Sequence, residues 1–515
     1  MKDPVLYTNA CIWRDDSYDP GIRAVYCRDG LIESFFSEND VFPAQCQVID
    51  LKGACLYPGF IDTHTHSFEG GLYSDGLDLS AFQSIPDILE AIRIKRRSIH
   101  AQGGNVLIAW GLDENLIREK RFPSLKELDE VCDDIPLLLR RIDGHSCVIN
   151  SRLKIMMMHS GIKLLKQAVY RGNDNDVIGH WFHAQCNEET VIQAYSRAAE
   201  QAMKGGFTTV HSMIGDALNS ITHYALIRDR LSQFPVEFIL YPQSLNMDAA
   251  IEVGATRIGG CILADGSIGS KTAALSEPYL GTPENKGKLY HTNEFWSGFI
   301  SRAHHTGLQA AIHCIGDRAI SQINDIYLRL HQTDPKELRH QLIHCELTPD
   351  PLVERIAASS AVCVMQPAFD LHWGGEDGLY SRSLGEVRSR QMNRFKTLRS
   401  SGITVTGGSD WYVTELDVRF GLQGAICHHN PVERLNAGGA IDLYTRSAAR
   451  LSHDESRLGR IALGYQADFT IMSSSIKDND EKRSVGESAC DFDSLQVLAV
   501  VKKGRIVYDR YARYR

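Results

Sequence analysis

At 515 residues the chain is too long for one small core, so several domains, or one large barrel with an accessory domain, must share it. Apolar residues make up 43% and charged residues 23%, as in an ordinary globular protein, and a net charge of -9 argues against a surface built for polyanions. The opening run "MKDPVLYTNACIWRDD" is broken by Asp, Asn and Arg before a signal-like apolar core forms, and no stretch of about 18 apolar residues follows. A cytoplasmic protein with neither nucleic acid nor membrane as partner is expected; a homo-oligomer stays open.

From Val5 to about Tyr57 the chain reads as short β segments, "VLYTNACIW", "RAVYCRDGLIESFF" and "QVIDLKGACLYP", separated by Gly, Asp and Asn turns. The far end repeats this style in "QADFTIMSS" and "LQVLAVVKKGRIVYD", the latter a hairpin turning at Lys-Lys-Gly. Both termini therefore predict one composite β-sandwich domain, residues 1–57 plus 456–515. Between them, apolar runs such as "FTTVHSM", "VEFILYP", "IGGCILADG", "LQAAIHCIGD", "HQLIHCEL", "SAVCVMQP" and "ITVTGGSD" alternate with helical stretches ended by Gly, Pro or Ser. Repeated strand-then-helix units predict an α/β architecture, a (β/α)8 TIM-like barrel over residues 58–455 with an insertion at about 71–190. No G-x-G-x-x-G follows the first strand, which argues against a dinucleotide fold.

In such a barrel, reactive side chains project from the C-terminal ends of strands. Side chains that can bind a metal recur there: His64 and His66 in "FIDTHTH", His211 in "TTVHS", His313 in "AAIHCIGD", His344 in "LIHCEL" and Asp410 in "VTGGSD". The i, i+2 spacing of His64 and His66 puts both imidazoles on one strand face. Cys314 and Cys345, each next to such a histidine, then point away and read as packing residues. The thirteen cysteines, spread without a C-x-x-C pair, read as reduced and mostly buried thiols. A metal with histidine and carboxylate ligands and an open position generates hydroxide near neutral pH, and Asp410 is suited to carry a proton from attacking water to leaving group.

The run "PGFIDTHTH", the later single histidines and the terminal Asp resemble the amidohydrolase superfamily over nearly the whole chain. More narrowly, "DGSIGSKTAALSEPYLG", "IHCIGDRA", "MQP" and "GGSDWYV" are similar to amidohydrolase family 3, which includes N-substituted formamide deformylases. The resemblance implies His64, His66 and Asp410 as ligands of a more buried metal, and His313 and His344 as ligands of another. It implies Lys271 as an N-carboxylated bridge between them; the alternatives are an ammonium paired with Glu277 or a substrate anion, and a single-metal site. His145, in "RRIDGHSCVIN", resembles the family's Asp-Gly-His segment and is read as a substrate contact, the alternative being an ordinary loop turn; Trp110, Asp113, Tyr279 and Gln366 are weaker candidates, Trp110 reading also as a core residue. Where relatives carry Gly-x-x-x-Glu, this chain has "IGHWFHAQCN", with His180, Trp181 and His183 in its place, so substrate preference does not transfer directly. The pairs His304/His305 and His428/His429 read as solvated helix residues, and His211 as a core residue or a support for a ligand.

The expected function is a metal-dependent hydrolase of a C–N, amide-type, non-peptide bond in a small molecule, acting through metal-activated hydroxide with Asp410 as general acid/base. One or two divalent ions are implied, zinc first, with iron, nickel and manganese open. A lactone or phosphoester hydrolase on the same site, or a non-catalytic assembly protein retaining the fold, are the alternatives.

Overall fold

The computed structural model describes residues 4–37, 39–101, 105–142, 144, 146–164, 167–215, 221–477 and 492–514. The chain forms two compact units, one from Met1–His66 with Ala199–Arg515, the other from Ser67–Ala198.

In the first unit both ends of the chain are woven into two β-sheets. The four-stranded sheet runs Leu31–Phe36, Ala24–Arg28, Val5–Thr8, Gln47–Asp50. The six-stranded sheet runs Arg505–Asp509, Val497–Lys502, Phe469–Met472, Cys55–Pro58, Cys11–Arg14, Ser17–Tyr18, so strands from the two termini pair directly. Tyr7, Val25 and Ile32 of one sheet and Ile12, Leu56, Phe469, Ile471 and Val501 of the other share one buried core. The last hairpin turns at Lys503 and Gly504, both at positive φ (49° and 73°), the two-residue turn that matches strand twist.

The same unit holds the parallel strands, here numbered β1 (Phe60–Thr65), β2 (Phe207–Ile214), β3 (Glu237–Pro242), β4 (Arg257–Leu263), β5 (Gln309–Cys314), β6 (Gln341–His344), β7 (Val362–Met365) and β8 (Val405–Gly407). They form a three-stranded sheet, β3-β2-β1, and a five-stranded sheet, β4-β5-β6-β7-β8. Strands β1, β2, β5, β6, β7 and β8 are buried along their whole length, as continuous apolar runs covered on both faces should be. Helices intervene between them. The helix Asp317–Thr333, for example, buries Ile320, Ile323, Tyr327 and Leu330 along one stripe.

β1 and the end of β8 are tied together. Thr63 Oγ1 donates to Gly407 O at 2.9 Å, Asp410 N donates to His64 O at 2.8 Å, and His66 N donates to Trp411 O at 2.6 Å. Asp62, fully buried, accepts from His64 N at 3.0 Å and from Ser409 N at 3.1 Å.

The second unit carries its own five-stranded sheet, ordered Tyr170–Arg171, Ser146–Ile149, Leu137–Arg141, Leu107–Leu112, Leu77–Asp78. Its core holds Ile88, Ile92, Leu107, Leu128, Leu137 and Leu139. The helix Leu125–Val131 is started by a reciprocal cap between Ser124 and Glu127, readable in "SLKE". Among the described residues no helix is long and apolar enough to cross a membrane.

Glu237, at the start of β3, is clamped by Lys502 Nζ at 3.1 Å and by the Arg457 guanidinium. Burial raises its pKa, but Lys502 and Arg457 more than offset this and hold the carboxyl near 2 against an ordinary 4.5. A depressed folded-state pKa contributes stability that is present above about pH 4.5 and is lost as pH falls toward 2. Glu237→Gln should therefore lower the unfolding free energy by about 1–2 kcal/mol at neutral pH. Urea titrations should find that difference shrinking as the pH is lowered through this range; a difference independent of pH would contradict the assignment.

Candidate metal centre

The centre is built at the C-terminal ends of the parallel strands. Alternation along β1 puts Asp62, His64 and, one residue beyond the strand, His66 on one side. The two imidazole centroids lie 5.4 Å apart. The tie between β1 and β8 brings Asp410 against them, its Oδ1 3.2 Å from His64 Nε2 and 3.2 Å from His66 Nε2. His344 ends β6 with its ring 5.2 Å from that of His64 and 4.5 Å from that of His313, which comes from β5. Both His344 (φ 70°) and Asp410 (φ 56°) adopt left-handed backbone, a strain of order 1–3 kcal/mol each that the surrounding sheet must hold in place.

Each of the two later histidines is turned by a hydrogen bond on its far nitrogen. Gln366 Oε1 accepts from His344 Nδ1 at 2.7 Å, which leaves Nε2 free to face the cluster. Gly266 O accepts from His313 Nε2 at 3.3 Å, with Asp265 Oδ1 3.7 Å away, which leaves Nδ1 free. Asp265 is itself fixed by the backbone N–H groups of Ala274, Ile315 and Gly316, at 2.8, 3.0 and 2.8 Å.

His64 Nδ1, His64 Nε2 and Asp410 Oδ1 are buried and make no hydrogen bond. Buried polar atoms without partners are costly, and imidazole nitrogens converging with a carboxylate oxygen are the donor set that a divalent cation satisfies. The ligand atoms of His64, His66 and Asp410 all lie within 4.8 Å of one another. The residues present therefore fit a metal.

A second triad at the same spacing contains a residue that the sequence reading did not single out: His64, Cys261 and His344. Cys261 Sγ also lies 4.0 Å from His313 Nδ1. It owes its place to a bulge in β4. Gly259 pairs with Ala311 while Ile262 pairs with Ile312, so Gly260 and Cys261 are extra on the β4 side. Gly259 and Gly260 have φ of 102° and 106°, open only to glycine, and a Cβ on Gly259 would collide with the Ala311 carbonyl. Simple alternation cannot assign a face to a residue on such a bulge. The available signal was the Gly-Gly pair itself, directly before a cysteine at a strand end.

Electrostatics in the cluster are complementary. Burial would raise Asp410, yet His64 and His66 hold its carboxyl well below the usual range. Burial would raise Cys261 too, but the imidazoles of His313, His344, His64 and His66 hold the thiol well below its usual value. Burial works against a charged His313, but Cys261 and Asp265 outweigh it and lift its pKa to about 9.

The remaining expected residues fall elsewhere. Lys271 lies in the turn after β4, partly exposed, at φ 56°, with its carbonyl accepting from Asn285 Nδ2 at 3.1 Å; the side chain standing among the imidazoles is Cys261. Tyr279 is buried in an apolar cluster with Ile268, Leu275 and Tyr380, and its hydroxyl donates to Ala273 O at 3.0 Å. Gln366 is 1% exposed and is engaged with His344. Trp110 lies on Leu107–Leu112 in the second unit, and His145 lies outside the described residues. His180, Trp181 and His183 lie on the helix Asn173–Ala184, with His183 Nε2 3.2 Å from Tyr73 OH. His211 is buried in β2 with Nδ1 3.1 Å from Tyr241 OH.

The reading of the two histidine pairs as solvated is corrected. His305 is exposed, but His304 is 2% exposed and is held by His340 at 3.0 Å and Asp334 O at 2.8 Å. His428 lies beyond the end of a helix, not in it, and is fully buried; its Nε2 donates to Asn393 O at 3.0 Å and its Nδ1 accepts from Asn430 N at 3.0 Å. Asp370, from another helix, binds His429 through both its ring and its N–H. For His304, His428 and His429, partners distant in sequence, Asp334, His340, Asn393 and Asp370, stand where solvent was expected.

Comparison with known proteins matches residues 47–508 to the amidohydrolase family. The chain is 27% identical over 542 aligned positions to YtcJ of Bacillus subtilis, whose own assignment as an amidohydrolase is provisional, covering 95% of this chain and 96% of that one. It is 22% identical to the N-substituted formamide deformylase of Arthrobacter pascens over 99% of both chains. Its fold matches that of an uncharacterized metal-dependent hydrolase from Pyrococcus furiosus with a TM-score of 0.75 at 23% identity, over 92% of this chain and 99% of that one. The chain belongs to the amidohydrolase family.

Proposed function

We propose that this protein is a metal-dependent hydrolase that opens a C–N, amide-type, non-peptide bond in a small molecule. The observation that carries this reading is the convergence of His64 Nε2 and Asp410 Oδ1, buried atoms that make no hydrogen bond and lie 3.2 Å apart, at strand ends beside His66, His313 and His344. We read the parallel strands as a (β/α)8 barrel and the terminal sheets as its companion β-sandwich.

His64, His66 and Asp410 would hold one divalent ion, and His313 with His344 another, zinc being suited to these donors. Such ions, when bound, supply Lewis-acid polarisation of a carbonyl and an activated water. The protein's own groups do the rest. Gln366 and the Gly266 carbonyl keep the protons of His344 and His313 on the far ring nitrogens, so that the near ones present lone pairs. Asp410 stays ionised between two imidazoles, so it can take a proton from water and return it to the departing nitrogen.

Chelation should abolish turnover of N-formyl amines or lactams, and zinc should restore it, in a panel that also contains lactones and phosphoesters. Metal-replete protein that turns over lactones or phosphoesters but no amide would contradict the bond assignment. Metal-replete protein inert toward all of them would contradict hydrolysis altogether.

Asp410→Asn keeps the side-chain shape but removes the proton carrier together with an anionic metal ligand. Its kcat should fall by about 10²–10⁴ with folding unchanged by circular dichroism. Activity within about twofold of wild type would remove Asp410 from the chemistry.

A further inference from the structure

We infer that Cys261 is a metal ligand, a thiolate shared by the ions of the centre, and that it takes the bridging position which the resemblance assigned to Lys271. The inference deepens the proposed hydrolase reading and rests on its metal site.

Three observations carry it. The Cys261 sulfur, His64 and His344 present ligand atoms that all lie within 4.8 Å of one another, and His64 is common to this triad and to the one with His66 and Asp410. The sulfur is also 4.0 Å from His313 Nδ1, the nitrogen left facing inward once Nε2 is engaged by Gly266 O. A nitrogen and a sulfur on one tetrahedral zinc, about 2.0–2.1 Å and 2.3 Å from it, stand roughly 3.6 Å apart, so the observed spacing is close to that of two ligands sharing an ion. Finally, His64 is wholly buried and neither ring nitrogen makes a hydrogen bond, so a metal held between it, the sulfur and Asp410, whose Oδ1 lies 3.2 Å from Nε2, would satisfy the ring.

Charge leads to the same place. Two divalent ions need anions, and Asp410 is the carboxylate that stands with the ligand nitrogens of His64 and His66. A thiolate is an anion without any added carbon dioxide, whereas Lys271 would need to be carboxylated first. The bulge at Gly259 and Gly260 is what delivers the sulfur, and two adjacent glycines at φ above 100° are a costly way to build a strand that only had to pack. A soft sulfur donor also biases the centre toward zinc or iron over magnesium or manganese.

Reconstitution of the full chain with cobalt(II) tests this directly. Wild-type protein should show a near-ultraviolet thiolate-to-cobalt charge-transfer band, with the same cobalt content whether or not bicarbonate is present. Cys261→Ser should lose the band and about half or more of the bound cobalt, while Lys271→Met should keep both. Should Cys261→Ser fail to fold, iodoacetamide labelling of wild type followed by peptide mass analysis gives an independent answer. Bound metal should slow alkylation of Cys261 by about tenfold or more. Cobalt bound without a charge-transfer band, or without protection of Cys261, would overturn the inference and leave the histidine–aspartate site standing. Cobalt content dependent on bicarbonate and lost in Lys271→Met would restore the carboxylated lysine instead. No cobalt bound at all would overturn the inference together with the reading beneath it.

Discussion

The hydrogen bond from Asp410 N to His64 O is the contact on which the rest of the site depends. It joins the last parallel strand to the first, and with His66 N to Trp411 O and Thr63 Oγ1 to Gly407 O it sets where Asp410 stands against the two histidines. Asp62 reinforces the same join by accepting from the backbone on both sides of it. The strained φ of Asp410 and of His344 is affordable only because these partners leave the backbone no alternative.

Around the centre, carboxyl groups divide by environment. Asp62 and Asp265 are buried against backbone N–H groups, and burial lifts them to about 7 and about 6 despite those bonds. Glu346, facing Tyr380, is lifted by burial to about 7. Asp410, equally enclosed, goes the other way because two imidazoles stand against it. The first three serve as scaffold and Asp410 as the ionised partner, a separation produced by surroundings and not by residue type.

Much of this was legible from the residues. The i, i+2 histidines of "THTH" share a strand face by period alone, and the motifs "PGFIDTHTH", "DGSIGSKTAALSEPYLG", "IHCIGDRA" and "GGSDWYV" carry the resemblance to the family that the comparison shows. His313 and His344 fall in the last two residues of strands that are buried along their whole length, where a side chain can reach the site at the strand ends. What alternation could not resolve was the bulge: two extra residues in β4 shift the register, so Cys261 looked like one more thiol in an apolar run. Lys271, ten residues on in "GSKTAA", carries the motif and so the stronger signal. The histidine pairs were misjudged for a related reason, since the partners that bury His304 and His428 lie far away in sequence.

A crystal structure of the zinc-loaded protein with anomalous scattering collected at the zinc edge bears most directly on the central claim. The account predicts zinc within about 2.0–2.3 Å of His64, His66, Asp410 and the Cys261 sulfur, with His313 and His344 on the neighbouring ion. Zinc bridged by a carbamate on Lys271, with the Cys261 sulfur turned away, would contradict it.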